Sequence, residues 1–333
     1  MTDSTTAPTT ASRVASTVDT VLDRSLVLGY GRPGLALRRL LPGWPADPPR
    51  MDGKVVLVTG AGSGLGLAAA AGFARLGASV RALGRDDGRA TEAADAARAA
   101  AGGGDVRPVA CDVSSVAALR AIVGRVHEQE ERLDVLVNNA GVMPDERTHS
   151  VDGVELAFAT HVVAPWVLTE GLAPLMGRTA PARVINVTSG GQYGQRVPDG
   201  DVESARDDYG PKKIYARTKR ALLDITAYQA QRFGPEVHVH AMHPGWADTK
   251  GVRSWMPVFR ALTRPVIRTP EEGADTIVWL GGAPEGVTST GLLWHDRRPR
   301  PVTYAAGPGA DAESVRRQVR EHVEAVLARH GGG

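Results

Sequence analysis

From residue 54 onward, short apolar runs alternate with longer Ala- and Leu-rich stretches. Residues 55–58, 79–83, 106–110, 135–137, 183–187, 237–242 and 292–294 read as strands. A short, unbroken apolar run is what a strand covered on both faces requires. Between them, 67–76, 86–101, a stretch from Ser114 towards Glu131, 154–176 and a run from Tyr215 onward read as helices. Ser114 is placed to cap the third of these segments, and Pro165 and Pro174 predict irregularities in the fourth. Thr269 with Pro270 and Glu272 opens a helix to residue 280, and 312–329 forms a last one. Such alternation predicts an α/β fold: one doubly wound parallel sheet with helices on both faces. In these sheets ligands bind at the carboxyl ends of the strands.

The pattern before residue 54 differs. Val14, Val18, Val21, Leu22 and Leu28 recur at helical spacing, an apolar run at 35–41 carries Arg38 and Arg39, and Pro42, Pro45, Pro48 and Pro49 mark a linker. Three regions follow: an extension over 1–50, the α/β domain over 51–305, and a C-terminal helix and tail over 306–333. The extension has two readings. It packs as helix on the protein's own surface, or residues 13–41 lie as an amphipathic segment on a membrane. Residues 1–12, rich in Thr, Ser, Ala and Pro, lack the order of a secretory signal and read as disordered.

Composition narrows the function classes. A net charge of +2 gives no electrostatic case for nucleic acid. The single cysteine, Cys111, excludes an intramolecular disulfide and fits a reducing compartment, with the cytoplasm as the default. No uninterrupted apolar run reads as long enough to span a bilayer. No set of metal ligands is assigned.

Candidate chemistry falls at the predicted strand ends. Thr59-Gly60-Ala61-Gly62-Ser63-Gly64-Leu65-Gly66 separates the first strand from an Ala-rich helix. Glycines there let the backbone approach a pyrophosphate, and the helix N-terminus offers aligned N–H donors. Asn138-Asn139-Ala140-Gly141 follows the fourth strand, Ser189 the fifth and Pro244-Gly245 the sixth. Tyr215 and Lys219 lie four apart, on one face of a helix. A phenol is a poor proton acceptor near neutral pH, and a neighbouring ammonium would lower its pKa into a useful range. Tyr209 with Lys213 shares the spacing, but Gly210-Pro211 between them do not continue a helix.

These five motifs, in this order and spacing over roughly residues 50–305, resemble the short-chain dehydrogenase/reductase family. The gap of about two dozen residues between Ser189 and Tyr215 resembles its retinol-dehydrogenase-like branch. Phe158-Ala159-Thr160, Ser189-Gly190-Gly191, residues 242–249 and Asp296-Arg297-Arg298-Pro299 are similar to one member of that branch, which also has an N-terminal extension. The resemblance implies hydride transfer between a nicotinamide cofactor and a carbonyl or alcohol. Tyr215 would carry the proton. Lys219 would lower its pKa and bind the nicotinamide ribose, and Ser189 would hold the substrate oxygen. It further implies that Gly60, Ser63, Gly64, Leu65, Gly66, Asp112, Val113, Asn139, Ala140, Gly141, Pro244, Gly245 and Thr249 contact the cofactor, with Asn138 supporting sheet and cofactor. Residues 246–268 would form a substrate lid. Trp246, Trp255, Met256 and Phe259 in it point to an apolar small-molecule substrate, or simply to packing of the lid.

His161 stands where the family has an asparagine that orders a water leading to the lysine. An imidazole can serve such a relay, or the water path is lost. Cofactor choice turns on the end of the second strand. An NAD site places a carboxylate there for the ribose 2′-OH, but this chain has Gly84 followed by Arg85. A guanidinium suits the 2′-phosphate of NADP(H), although pairing with Asp86 would compete. NADP(H) is therefore expected, with NAD(H) as the other option. Two rival functions differ in class: a cofactor-binding sensor or scaffold without turnover, and a sugar-nucleotide epimerase, which shares the Tyr/Lys pair. Asn-Asn-Ala-Gly at 138–141 disfavours the epimerase.

Overall fold

A computed structural model describes residues 10–206, 208–249, 252–253 and 257–330. Eight strands form one sheet in the order β3-β2-β1-β4-β5-β6-β7-β8. They are β1 Val55–Thr59, β2 Ser79–Gly84, β3 Val106–Ala110, β4 Val135–Asn138, β5 Ala182–Val187, β6 Val237–Met242, β7 Leu293–His295 and β8 Arg298–Arg300. The first seven pair in parallel and the last is antiparallel. β1 and β4 are wholly buried, which is why their sequences are apolar without alternation. The chain reverses direction across the sheet between β1 and β4, so the loops after these strands open at a topological switch point.

The strand carrying Arg298 to Arg300 was hidden from the pattern because it is charged. A two-residue turn, Asp296-Arg297, joins it to β7, and both residues have positive φ, 52° and 56°. Hairpins of this kind demand positive φ at both central positions and usually place Asn or Gly there.

Helices cover both faces: α4 Gly64–Arg75, α5 Asp87–Ala101, α6 Val116–Gln129, then Leu156–Gly177, Pro211–Phe233, Pro270–Gly282 and Glu313–Arg329. The cap of α6 is Ser115, whose hydroxyl accepts from Ala118 N–H, rather than Ser114. Ser114 bonds instead to Asp112 Oδ1, through its N–H at 3.0 Å and its hydroxyl at 2.8 Å. Thr269 and Glu272 form a full capping box, as expected. The helical run Leu156–Gly177 holds a π-helical turn at Ala159–Val163, directly before Pro165. Proline has no N–H to return to the preceding turn, so the ladder widens there. By length and composition this run could cross a bilayer, contrary to the expectation that no such segment exists. Of its most apolar window 78 % is nevertheless buried in the protein, where it packs in the core with Phe158, Leu168, Leu172 and Met176.

The extension is helical: α1 Thr10–Arg24, α2 Leu26–Tyr30 and α3 Arg32–Leu40. Helix therefore begins inside the stretch expected to be disordered; residues 1–9 lie outside the described residues. Of its two readings the structure has the extension packed on the protein, since Leu22, Tyr30, Leu35 and Arg38 are buried. Val14, Val21, Leu28 and Leu40 face outward.

Candidate active site

A large cavity, of about 1790 Å³, opens at the carboxyl ends of the central strands. It gathers Gly60, Ser63, Gly64, Leu65, Arg85, Asp112, Val113, Asn139, Ala140, Gly141, Ser189, Tyr215, Lys219, Pro244, Gly245 and Thr249, residues drawn from the six loops that follow β1 to β6, from the start of α4 and from the helix Pro211–Phe233. Two predicted contacts do not line it. Gly66 is a packing glycine, because a Cβ there would lie 2.1 Å from Gly60 O and 2.5 Å from Asn139 Nδ2. His161 is the second.

At one end the Gly-rich turn sits against the loop after β4. Gly60 has φ +65°, and a Cβ on it would strike Ala140 Cα at 2.9 Å. Thr59 Oγ1 accepts from the N–H groups of Asn139 at 2.9 Å and Ala140 at 3.0 Å, and Asn139 Nδ2 donates to Thr59 O at 2.9 Å. Asn138 turns the other way, donating to Asn186 Oδ1 at 2.8 Å inside the sheet. Ser63 precedes α4, but its side chain makes no capping bond to the helix. The first N–H groups of α4 are thus left without a side-chain acceptor at the cavity, the arrangement that receives a phosphate. Arg85 and Arg89 line the cavity beside Gly84. These residues fit a nicotinamide dinucleotide.

At the other end stand Ser189, Tyr215 and Lys219. Tyr215 belongs to the helix Pro211–Phe233, in which Pro211 takes the first position, where a missing N–H costs nothing. Tyr209 therefore precedes the helix, and its hydroxyl donates to Pro144 O at 2.9 Å. Ser189 and Tyr215 both line the cavity. Lys219 is buried, donates to Val187 O at 2.8 Å and lies 5.8 Å from the centre of the Tyr215 ring. The expected electrostatic effect is reversed here. Burial pushes the Tyr215 phenol up to about 12, and only the Ser189 hydrogen bond opposes it. Burial likewise pulls Lys219 down to about 7. Burial, more than the charge of its neighbour, sets the Tyr215 proton here.

His161 lies in the π turn, fully buried. Its Nε2 accepts from Val142 N–H at 3.0 Å, which leaves the proton on Nδ1, 2.8 Å from Thr218 Oγ1. Burial, then the charge of Lys219, holds its pKa well below 6.5. Both nitrogens are occupied by partners other than a relay water. The imidazole instead ties the loop after β4 to the helix bearing Tyr215, with its ring edge-on to that of Tyr215 at 5.2 Å.

The pattern did not reveal five contributors. Tyr30 from α2, Tyr193 after β5 and Tyr304 beyond β8 all line the cavity, as do Asp19 and Asp23 of α1. The one visible signal was the Asp296-Arg297-Arg298-Pro299 motif, whose turn anchors the extension. Of the lid, Trp246 and Val252 line the cavity. Trp255 and Met256 lie outside the described residues, as does the side chain of Phe259.

A buried lysine has a consequence for stability. The unfolded chain holds this proton up to about pH 10.5, whereas the folded protein releases it near 7. Its cost is therefore full below pH 7 and relieved as pH rises from 7 towards 10.5. The cofactor-free protein should melt higher at pH 9 than at pH 6.5, and Lys219→Met should shrink that difference. Melting curves of both proteins at both pH values test this; an undiminished difference in the variant would assign it to another group.

The family model for short chain dehydrogenases matches residues 54–257. The chain is 34% identical over 271 residues to human dehydrogenase/reductase SDR family member 12, covering 80% of this chain and 85% of that one. It is 34% identical over 299 residues to retinol dehydrogenase 14 of Mus musculus, covering 84% and 88%. Among solved structures, the RhlG/NADP active-site complex of Pseudomonas aeruginosa superposes with a TM-score of 0.60 at 28% identity, over 73% of this chain and 94% of that one. With the sheet order and a cavity at the strand ends lined by Ser189, Tyr215 and Lys219, the protein belongs to the short-chain dehydrogenase/reductase family, the nicotinamide-dependent oxidoreductases that interconvert alcohols and carbonyl compounds.

Proposed function

We propose that the protein is an NADP(H)-preferring carbonyl reductase or alcohol dehydrogenase acting on an apolar small molecule. The observation that carries the cofactor choice is the end of β2. A Cβ on Gly84 would lie 2.5 Å from Ala90 N and 2.7 Å from Ala90 Cα, so α5 leaves no room there for the carboxylate of an NAD site. Asp86, the competitor for Arg85, caps α5 through Arg89 N–H at 2.9 Å and pairs with the Arg89 side chain at 3.4 Å. Arg85 and Arg89 line the cavity beside Gly84, and a guanidinium there supports binding of a 2′-phosphate. NADPH should bind at least tenfold tighter than NADH, and Arg85→Ala should erase most of that margin. Dissociation constants for both cofactors, with both proteins, decide it; a wild type that prefers NADH overturns the assignment.

The chemistry follows from the other end. The cofactor, when bound, supplies or takes the hydride. Tyr215, protonated at neutral pH, gives its proton to the carbonyl oxygen during reduction and takes one from the alcohol during oxidation. Ser189 holds that oxygen by a hydrogen bond as charge develops on it. Lys219 stands on the cofactor side with its proton near balance at pH 7. Val142, Met143, Leu156 and Trp246 give the substrate side an apolar lining, and likeness to a retinol dehydrogenase supports an apolar, lipid-, steroid- or retinoid-like substrate. The buried Cys111 and the reducing compartment it implies support a cytoplasmic location. The outward Val14, Val21, Leu28 and Leu40 of the extension support peripheral membrane contact through residues 13–41.

A further inference from the structure

We propose that the N-terminal extension forms the far wall of the substrate pocket and that Tyr30 determines how large a carbonyl compound reaches Ser189 and Tyr215. The inference rests on the function proposed above and adds a specificity-determining residue to it. Tyr30 is only 2 % exposed, yet it lines the same cavity as Tyr215. It is threaded between the two loops nearest the chemistry. On one side its ring covers Gly190, the residue after Ser189: a Cβ at 190 would lie 3.1 Å from Tyr30 Cε2. On the other, its carbonyl accepts from Trp246 N–H at 2.8 Å, and a Cβ on Gly245 would lie 2.6 Å from that oxygen. Glycine at 190 and at 245 is thus what lets the extension come this close.

The ring is held on its remaining sides. It meets His243 edge-on at 5.0 Å, His295 at 5.3 Å and Trp246 at 6.4 Å. Beyond it, Asp23 accepts from the Tyr304 hydroxyl at 2.5 Å, and the Tyr304 ring lies 4.5 Å from that of Tyr193. Aromatic rings with two rotatable bonds make a stiff surface, which discriminates by shape.

The wall is anchored, not swinging. Arg38 of α3, with no exposed surface, donates to Asp19 at 2.8 Å, Asp296 at 2.6 Å and Gly29 O at 2.7 Å. Arg268 joins Asp296, by two bonds of 2.6 and 2.9 Å, to Gly29 O and Pro244 O. These bonds link the extension, the loop after β6 and the β7–β8 turn. Paired charges with no access to water separate only at high cost.

The test uses the full chain with NADPH and two ketones, acetophenone and 2-acetonaphthone, which differ by one fused ring. Tyr30→Ala should raise the ratio of kcat/KM for the larger over the smaller ketone about tenfold, and Tyr30→Leu should move it the same way by less. Tyr30→Phe, which keeps the ring, should leave the ratio within about twofold of wild type. NADPH affinity should be unchanged in all three. A ratio unmoved in both Ala and Leu variants overturns the proposal, and so does loss of NADPH binding in both, which would make Tyr30 a folding residue. A wild type that binds NADPH but reduces neither ketone refutes the proposed function instead. The same ratio is then read from dissociation constants of the two ketones by titration calorimetry, and the same outcomes apply.

Discussion

Tyr215→Phe is expected to remove about 10²–10⁴-fold of kcat while leaving NADPH affinity within about twofold of wild type. Phenylalanine keeps the ring that packs edge-on against His161 at 5.2 Å and deletes only the hydroxyl, which faces the cavity that Ser189 also lines. That hydroxyl is the group in the pocket placed to give a proton to a substrate oxygen held by Ser189. Steady-state reduction of any ketone the wild type accepts, beside a cofactor titration, checks both halves. Tyr209→Phe is the control. It has the same apparent partner four residues on, but its hydroxyl goes to Pro144 O and it does not line the cavity. Turnover by Tyr215→Phe equal to wild type would remove this tyrosine from the reaction.

The largest stability effect is expected at Arg38. Substitution by alanine leaves Asp19 and Asp296 buried with part of their compensation gone. Burial alone would raise the Asp296 carboxyl; Arg268 first, and Arg38 with it, hold it well below the usual carboxylate range. Asp19 is likewise held low against burial by Arg300 and Arg38. Breaking a buried pair from one side typically costs about 3–5 kcal/mol. Because the pair holds α3 to the β7–β8 turn, the loss should appear first as release of the extension. Limited proteolysis of Arg38→Ala should cut within the proline-rich residues 42–49 well before the domain itself is digested, and its unfolding midpoint in urea should fall. Equal resistance of variant and wild type would mean that the extension is held by other contacts. The same geometry bears on truncation of residues 1–45. Their removal would strip Arg38 from Asp296, uncover Arg268 and take away Tyr30, so the truncated protein should lose solubility and substrate selectivity together.

The sheet, its seven parallel strands and the cofactor end of the site were legible in the sequence for a local reason. A strand buried on both faces, a turn that must admit a phosphate and a helix N-terminus each need particular residues within a few positions. Gly60, Gly64, Asn139 and the Tyr215/Lys219 spacing are such local demands. What only the tertiary structure decided depends on contacts between distant parts of the chain. β8 was invisible because its arginines do not face a core but serve Asp19 and Asp23, some 280 residues earlier. The pKa values of Tyr215 and Lys219 could not be read from their spacing, since burial by the whole fold outweighs the charge of one neighbour. The partners of His161, Val142 and Thr218, come from two other elements, and they make it a tie between those elements. Tyr30 is the extreme case: nothing in residues 26–30 speaks of a substrate pocket, and it lines one only because glycines at 190 and 245 leave space for it. Local sequence specifies backbone shape and donor placement, while burial and long-range pairing, which set charge state and pocket walls, exist only once the chain has closed on itself.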